Sequence, residues 1–130
     1  MSLLQKNTRK QGDAGLGQAI AYFTSLGYSV SLPLTESQRY DLIVDDGESL
    51  NRVEVKTTRN KKSDAASFVV QLATNGGNQT WNGTIRKISK LDSDYVFVVT
   101  SDGSRYLIPT ELLDGKQNVT LTSKWDEFKI

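Results

Sequence analysis

An α+β fold is what the sequence predicts, with one early helix followed by a sheet that is mostly antiparallel. Three observations predict it. Ala19, Ile20, Phe23 and Leu26 recur at helical spacing just ahead of Gly27, a natural C-terminal stop. From Tyr28 onward the apolar residues come instead in short alternating or continuous runs, separated by clusters of Gly, Asp, Asn and Ser. The 130 residues, 37% hydrophobic and 24% charged, suit a single domain with one core.

Residues 1–12 carry Lys6, Arg9 and Lys10 without an acid and read as a basic N-terminal arm, leaving residues 13–130 as the one domain. A helix is expected over about 14–26, capped by Asp13. Gly15 and Gly17 weaken its first turn by about 1 kcal/mol each relative to Ala. Gly12-x-x-Gly15-x-Gly17 follows no strand, so it is no dinucleotide fingerprint and instead permits close packing. Tyr28 to Leu34 alternates and meets Pro33, the pattern of an edge or terminating strand. Tyr40 to Val44 and Leu50 to Thr58 read as strands on either side of the turn cluster Asp45-Asp46-Gly47-Glu48-Ser49.

Phe68 to Ala73 is a fourth strand, and the Gly- and Asn-rich stretch 74–83 an irregular loop. Tyr95 to Thr100 is apolar almost throughout, hence a buried strand. Asp102-Gly103 signals a hairpin returning through Tyr106 to Ile108 and ending at Pro109. Thr110 is placed to cap a helical turn at 111–113, and Val119 to Leu121 reads as an edge strand.

Composition excludes several chemistries. With no Cys there is no disulfide, thiol nucleophile or thiolate metal site. With no His, the Ser-His-Asp triad and the histidine-zinc hydrolases are also excluded. Carboxylates, Lys, Arg, Tyr, hydroxyls or a hard oxygen-bound metal remain. A net charge of +1 means that any polyanion must be gripped by local basic patches. No run of about 18 apolar residues occurs, and Met1 to Lys10 has no apolar signal region. A soluble, cytoplasmic domain is expected, with the Asn-x-Thr triplets at Asn78, Asn82 and Asn118 arising by chance.

The most informative stretch is Asp41 to Lys56. A hairpin centred between Gly47 and Glu48 pairs positions whose numbers sum to 95, so that Asp41 faces Glu54 and Leu42 faces Val53. Leu42, Val44, Val53 and Val55 then form one apolar face, shared by Tyr40, while Asp41, Glu54 and Lys56 share the other. Two opposed carboxylates repel, a conflict that a divalent cation such as Mg²⁺ removes by taking their oxygens as ligands. Lys56 then stands beside the pair, placed to orient an attacking water or to stabilise a phosphorane. The same residues also suit a solvent-facing sheet surface on which Lys56 forms salt bridges of little worth with both acids.

Arg39-Tyr40-Asp41-Leu42-Ile43-Val44 followed by Val53-Glu54-Val55-Lys56-Thr57-Thr58 resembles the signature of the PD-(D/E)XK nuclease superfamily. Gly12-Asp13-Ala14-Gly15 and Gly27-Tyr28-Ser29-Val30 resemble that family's first helix and strand. The nearest branch is the homing endonucleases of cyanobacterial group I introns; archaeal Holliday-junction resolvases are a more distant likeness. Thr74-Asn75-Gly76-Gly77-Asn78 and the segment Ser101 to Pro109 extend the resemblance over about residues 12–110. It implies a restriction-endonuclease-like fold, a mixed β-sheet flanked by helices in an α/β/α-like arrangement. It also implies a metal-dependent DNA endonuclease using Mg²⁺, with Mn²⁺ as substitute, and leaving a 5′-phosphate. Asp41 and Glu54 would bind the metal with the Val55 carbonyl as a third ligand, and Lys56 would be catalytic. One departure stands out: Leu16 occupies the first-helix position where the family often has a metal-proximal Glu, with Asp13 and Gln18 as the nearby polar residues.

Three basic clusters suit a nucleic-acid partner: Lys6, Arg9 and Lys10; Arg52, Lys56, Arg59, Lys61 and Lys62; and Arg86, Lys87 and Lys90. Arg59, Lys61, Lys62, Arg86 and Lys87 are the candidates for phosphates. Gln71, Asn75, Asn78 and Gln79 offer amides to base edges. Each cluster suits a solvated basic face equally well. Cutting two strands with so small a domain implies a homodimer or homotetramer.

Overall fold

Asn7, rather than Asp13, starts the helix. In the computed structural model, which describes residues 4–63, 66–75 and 85–130, helix α1 spans Thr8–Ser25. The Asn7 side-chain oxygen accepts the backbone N–H groups of Arg9 and Lys10 at 3.0 and 3.2 Å. Residues 8–12 of the expected arm are therefore helical. Asn and Asp cap equally well, and Gly12 within a helix costs too little to break it. Leu26 closes the helix and Gly27 turns the chain with φ +84°. Gln11, Gly15, Ala19 and Phe23, each four residues after the last, form the buried stripe.

Five strands make the main sheet: β1 (Ser29–Ser31), β2 (Leu42–Asp45), β3 (Leu50–Thr58), β7 (Tyr95–Thr100) and β8 (Arg105–Pro109), in the order β1-β2-β3-β7-β8. The pairs β1–β2, β2–β3 and β7–β8 are antiparallel, but the central pair β3–β7 is parallel. The sheet is thus mixed, because residues 59–94 carry the chain back to start β7 alongside β3. β1 and β2 are shorter than the sequence predicts. Leu32 and Leu34 are exposed beyond β1, and Tyr40, half-buried, precedes β2 instead of joining its apolar face.

Two small sheets complete the chain. β4 (Val69–Gln71) pairs with β9 (Asn118–Thr120), so the expected C-terminal edge strand lies off the main sheet. β5 (Thr74–Asn75) pairs with β6 (Ile85–Arg86). Short 3-10 helices occupy Thr110–Leu113 and Ser123–Phe128. Thr110 caps neither; its buried hydroxyl bonds that of Ser93 at 3.0 Å.

The sheet separates two cores. On one face, Leu42, Val44, Val53, Phe97 and Val99 pack against Ala19 and Phe23 of α1. On the other, Val96, Val98, Tyr106 and Ile108 pack against Val70 of β4, Val119 of β9, Leu113 and Trp125. The expected flanking helices are therefore one α-helix on one face and strands with 3-10 turns on the other. β7 reads as continuously apolar because its alternate residues serve both cores. Among the described residues, no helix is long and apolar enough to cross a membrane.

Gly15 lets α1 lie directly on β3. A Cβ there would stand 2.5 Å from Thr57 Cγ2 and 3.1 Å from Val55 Cγ1. Gly15→Ala is accordingly expected to destabilise the protein by about 1–3 kcal/mol, although Ala is the better helix former. Adding Thr57→Ser, which removes the clashing methyl, should restore part of the loss in urea denaturation. An Ala variant as stable as the wild type would refute the close approach.

Candidate active site

The register that assembles this site is set by its turn. Asp45 Oδ1 accepts the Gly47 N–H at 2.9 Å, and Asp46 Oδ1 accepts those of Glu48 and Ser49 at the same distance. Gly47 takes φ +92°, a conformation open to glycine. These bonds hold the Asp46 carboxyl below the usual carboxylate range, the Ser49 N–H first. The strands then pair Leu42 with Val53 and Val44 with Asn51, the register read from the sequence. Leu42, Val44 and Val53 are buried beneath α1, which directs Asp41, Glu54 and Lys56 to the opposite face.

At the end of the β2–β3 ladder, the Asp41 N–H bonds the Val53 carbonyl at 2.9 Å. The Asp41 Oδ2 accepts the Val55 N–H at 2.6 Å. One side chain thus replaces the next rung of the ladder and fixes itself beside β3. A residue's N–H and C=O point to the same strand edge, so the Val55 carbonyl faces the Asp41 side. Glu54 Oε1 lies 3.0 Å from Lys56 Nζ, with the two side chains only 15% and 18% exposed. That shielding is unlike a solvated sheet surface.

Both acids hold protons more tightly than a free carboxylate. Desolvation by the surrounding protein raises Asp41, although it reaches solvent; the Val55 N–H and the Lys56 charge only partly offset it. Desolvation also raises Glu54, against Lys56 and with the charges of Asp41 and Asp92 adding to the rise. Two carboxylates that feel each other have one ammonium between them, and it pairs with Glu54, leaving Asp41 without a cationic partner among the described residues. The donor set, two carboxylates and a backbone carbonyl, fits a hard divalent cation. Among the described residues no group of three or more carboxylates gathers. Leu16 packs against the helix-side core, Asp13 is exposed and Gln18 is half-buried, so none joins the acids.

The other sequence candidates scatter around this face. Arg59 donates to the Leu4 carbonyl at 3.0 Å. Lys61 lies 5.0 Å over the Phe68 ring, and Lys62, Gln71 and Lys87 are exposed. Asn75 is in β5 opposite Ile85. Asn78 and Gln79 lie outside the described residues. Arg86, expected to reach phosphate, instead pairs with Asp92 at 3.1 Å. Arg52 is likewise tied to Asp94 at 3.4 Å and to the Leu91 carbonyl at 2.7 Å.

Sequence reasoning passed over Asp92 and Arg39. Arg39 bonds Thr74 Oγ1 at 3.0 Å, and Thr74 is the cross-strand partner of Arg86. The rung at the base of the β5–β6 pair is therefore fastened on one side next to Asp41 and on the other to Asp92, whose charge is felt by Glu54. No local signal marks these residues, since their partners lie in other segments.

Residues 6–127 match the family model described as PD-(D/E)XK endonuclease. Among solved structures, the chain is similar to a bacterial homing endonuclease, I-Ssp6803I, with a TM-score of 0.77 and 22% identity over 90% of this chain and 79% of that one. It aligns more weakly with MepB, at a TM-score of 0.45 and 20% identity over 84% of this chain and 81% of that one. None of the curated proteins matches.

The raised carboxyls have a sign that melting curves can read. Because the folded protein holds these protons more tightly than the unfolded chain, stability falls as pH rises from about 4 through the raised native values, and the loss is complete above them. Asp41→Asn keeps an acceptor for the Val55 N–H but removes the charge. In metal-free buffer it is expected to melt a few degrees above wild type near neutral pH, an advantage that shrinks on acidification. A wild type melting above the variant at neutral pH would show that Asp41 carries no electrostatic penalty.

Proposed function

The chain belongs to the PD-(D/E)XK endonuclease family, and from that membership we propose that it is a Mg²⁺-dependent DNA endonuclease hydrolysing phosphodiester bonds at Asp41, Glu54 and Lys56. The observation that carries the proposal is the cluster in which Glu54, shielded and 3.0 Å from the Lys56 ammonium, lies beside Asp41 at the open end of the strand pair, both acids holding protons more tightly than free carboxylates. The family and the homing-endonuclease fold support DNA as the substrate.

Asp41, Glu54 and the Val55 carbonyl would hold the cation. Asp41 Oδ2 is occupied by the Val55 N–H, which orients the carboxylate and leaves Oδ1 for the ion. A divalent cation in this place supplies Lewis acidity and screens the charge of the attacked phosphodiester. Lys56 orients the attacking water or stabilises the charge that builds on the phosphorane. In-line attack forms the new bond to phosphorus as the bond to the 3′ oxygen breaks, leaving a 5′-phosphate.

A supercoiled plasmid incubated with Mg²⁺ tests this. Wild type is expected to nick it, and Asp41→Ala and Lys56→Ala to be slower by about a hundredfold or more. Equal cutting by Asp41→Ala would remove the site. A second reading, a DNA-binding protein that has lost cleavage, is favoured by one observation: Leu16 is packed into the helix-side core where a third acid is usual. It predicts salt-sensitive DNA binding without nicking in Mg²⁺ or Mn²⁺.

Cutting both strands calls for a homodimer or homotetramer. β1 leaves an open sheet edge, and Leu32 and Leu34 beside it are 51% and 102% exposed, which supports self-association there. Sedimentation is expected to show an oligomer that Leu34→Glu converts to monomer; a monomeric wild type at micromolar concentration would refute it.

A further inference from the structure

The buried stripe of α1 begins with a residue ill suited to a core. Gln11 is 9% exposed and stands in line with Gly15, Ala19 and Phe23. Among the described residues, its side-chain amide makes no hydrogen bond, whereas every fully sealed side-chain nitrogen or oxygen has a partner. The amide is left open because it lines a groove of about 570 Å³ where the start of α1 crosses the end of β3. The Gln11 side chain is thus nine-tenths buried, yet its amide opens onto the groove with both donor and acceptor free for a ligand.

The chemistry of the groove specifies that ligand. Lys6, Thr8, Thr57, Arg59 and Asn60 line it with Gln11, and no acid does. Arg59 is held in place by its bond to the Leu4 carbonyl, and Lys6 has no carboxylate partner among the described residues. The 18-residue helix α1 directs the positive end of its dipole to the same place.

We propose that this groove is a subsite for a phosphate oxyanion, bound by the Gln11 amide and the charges of Lys6 and Arg59 and favoured by the dipole of α1. The phosphate comes either from a DNA backbone or from free phosphate. If Asp41 and Glu54 cut DNA, the backbone is the natural source. The choice of DNA rests on the nuclease reading; the anion chemistry rests on the groove alone.

Binding measured in EDTA separates the two, since no cutting is required. With a duplex oligonucleotide titrated over a range of salt, Gln11→Glu is expected to weaken binding by about tenfold or more, because it places a carboxylate among the phosphate ligands. Lys6→Gln should lower the slope of log affinity against log salt by about one, while Lys116→Gln, exposed elsewhere, leaves it unchanged. Gln11→Leu should melt at or above the wild-type temperature and yet bind duplex about fivefold more weakly, a combination that a purely structural glutamine does not give. Inorganic phosphate should raise the melting temperature of wild type but not of Gln11→Glu; that response without any duplex effect would assign the groove to free phosphate. Unchanged duplex affinity together with an unchanged phosphate response in Gln11→Glu and Gln11→Leu would overturn the proposal. A wild type that binds duplex through this groove but never nicks in Mg²⁺ would end the nuclease reading and leave the subsite standing.

Discussion

The bond from the Val55 N–H to the Asp41 carboxylate, 2.6 Å long, is the interaction on which the rest of the site depends. It falls where β2 runs out and the ladder would otherwise leave a backbone donor unpaired. By supplying that acceptor, Asp41 satisfies the strand and is pinned beside the residues that flank Val55, namely Glu54 and Lys56. The acid is therefore positioned by the folding of the hairpin itself. The turn at Asp46 and Gly47 sets the register, burial of Leu42 and Val53 sets the face, and the side-chain bond sets the last distance. A one-residue slip would send the three functional side chains under α1 and bring the valines to the surface.

That placement has an electrostatic cost that an isolated sheet does not recover. Lys56 pairs with Glu54 and lowers both acids, but desolvation outweighs it in each. Asp92 adds a further negative charge near Glu54 and is itself balanced by Arg86. Two acids with one ammonium between them, both raised by desolvation, form an electrostatically strained group at the end of the hairpin. The fastening of Thr74 by Arg39 and of Arg86 by Asp92 ties the β5–β6 pair to both flanks of the acids.

Legibility in the sequence followed the range of the interaction. The β2–β3 hairpin was readable because a turn signal and two alternating strands agree in phase, and all three acting side chains lie within sixteen residues. β7 was readable from its apolar run, and the glycines of α1 as a packing surface, realised at Gly15 against Thr57. The start of α1 was not, because Asn7 and Asp13 are equal as caps, and burial of Leu4 and Gln11 is a tertiary matter. The parallel pairing of β3 with β7 was not legible in the residue pattern, since alternation describes a strand's faces but not its neighbours, although the family resemblance implied the mixed sheet that forms. Arg86 was read as a phosphate contact because its charge is visible in the sequence, whereas its partner Asp92 becomes one only after β6 is placed.

The pairing of Arg86 with Asp92 points to a division of labour among the basic residues. Apart from Arg9, every arginine is engaged inside the fold: Arg39 with Thr74, Arg52 with Asp94, Arg59 with Leu4, Arg86 with Asp92 and Arg105 over the Tyr22 ring. Among the described residues, Lys56 is the one lysine with a carboxylate partner. Guanidinium suits the first task because its planar fork makes several directed bonds at once; an ammonium on a flexible stem suits a mobile, hydrated polyanion. Arg52 and Arg86 each pair with an acid of the fold, and Lys61, Lys124 and Lys129 lie over aromatic rings as Arg105 does, whereas Lys6, Lys62 and Lys87 are exposed with no carboxylate partner among the described residues.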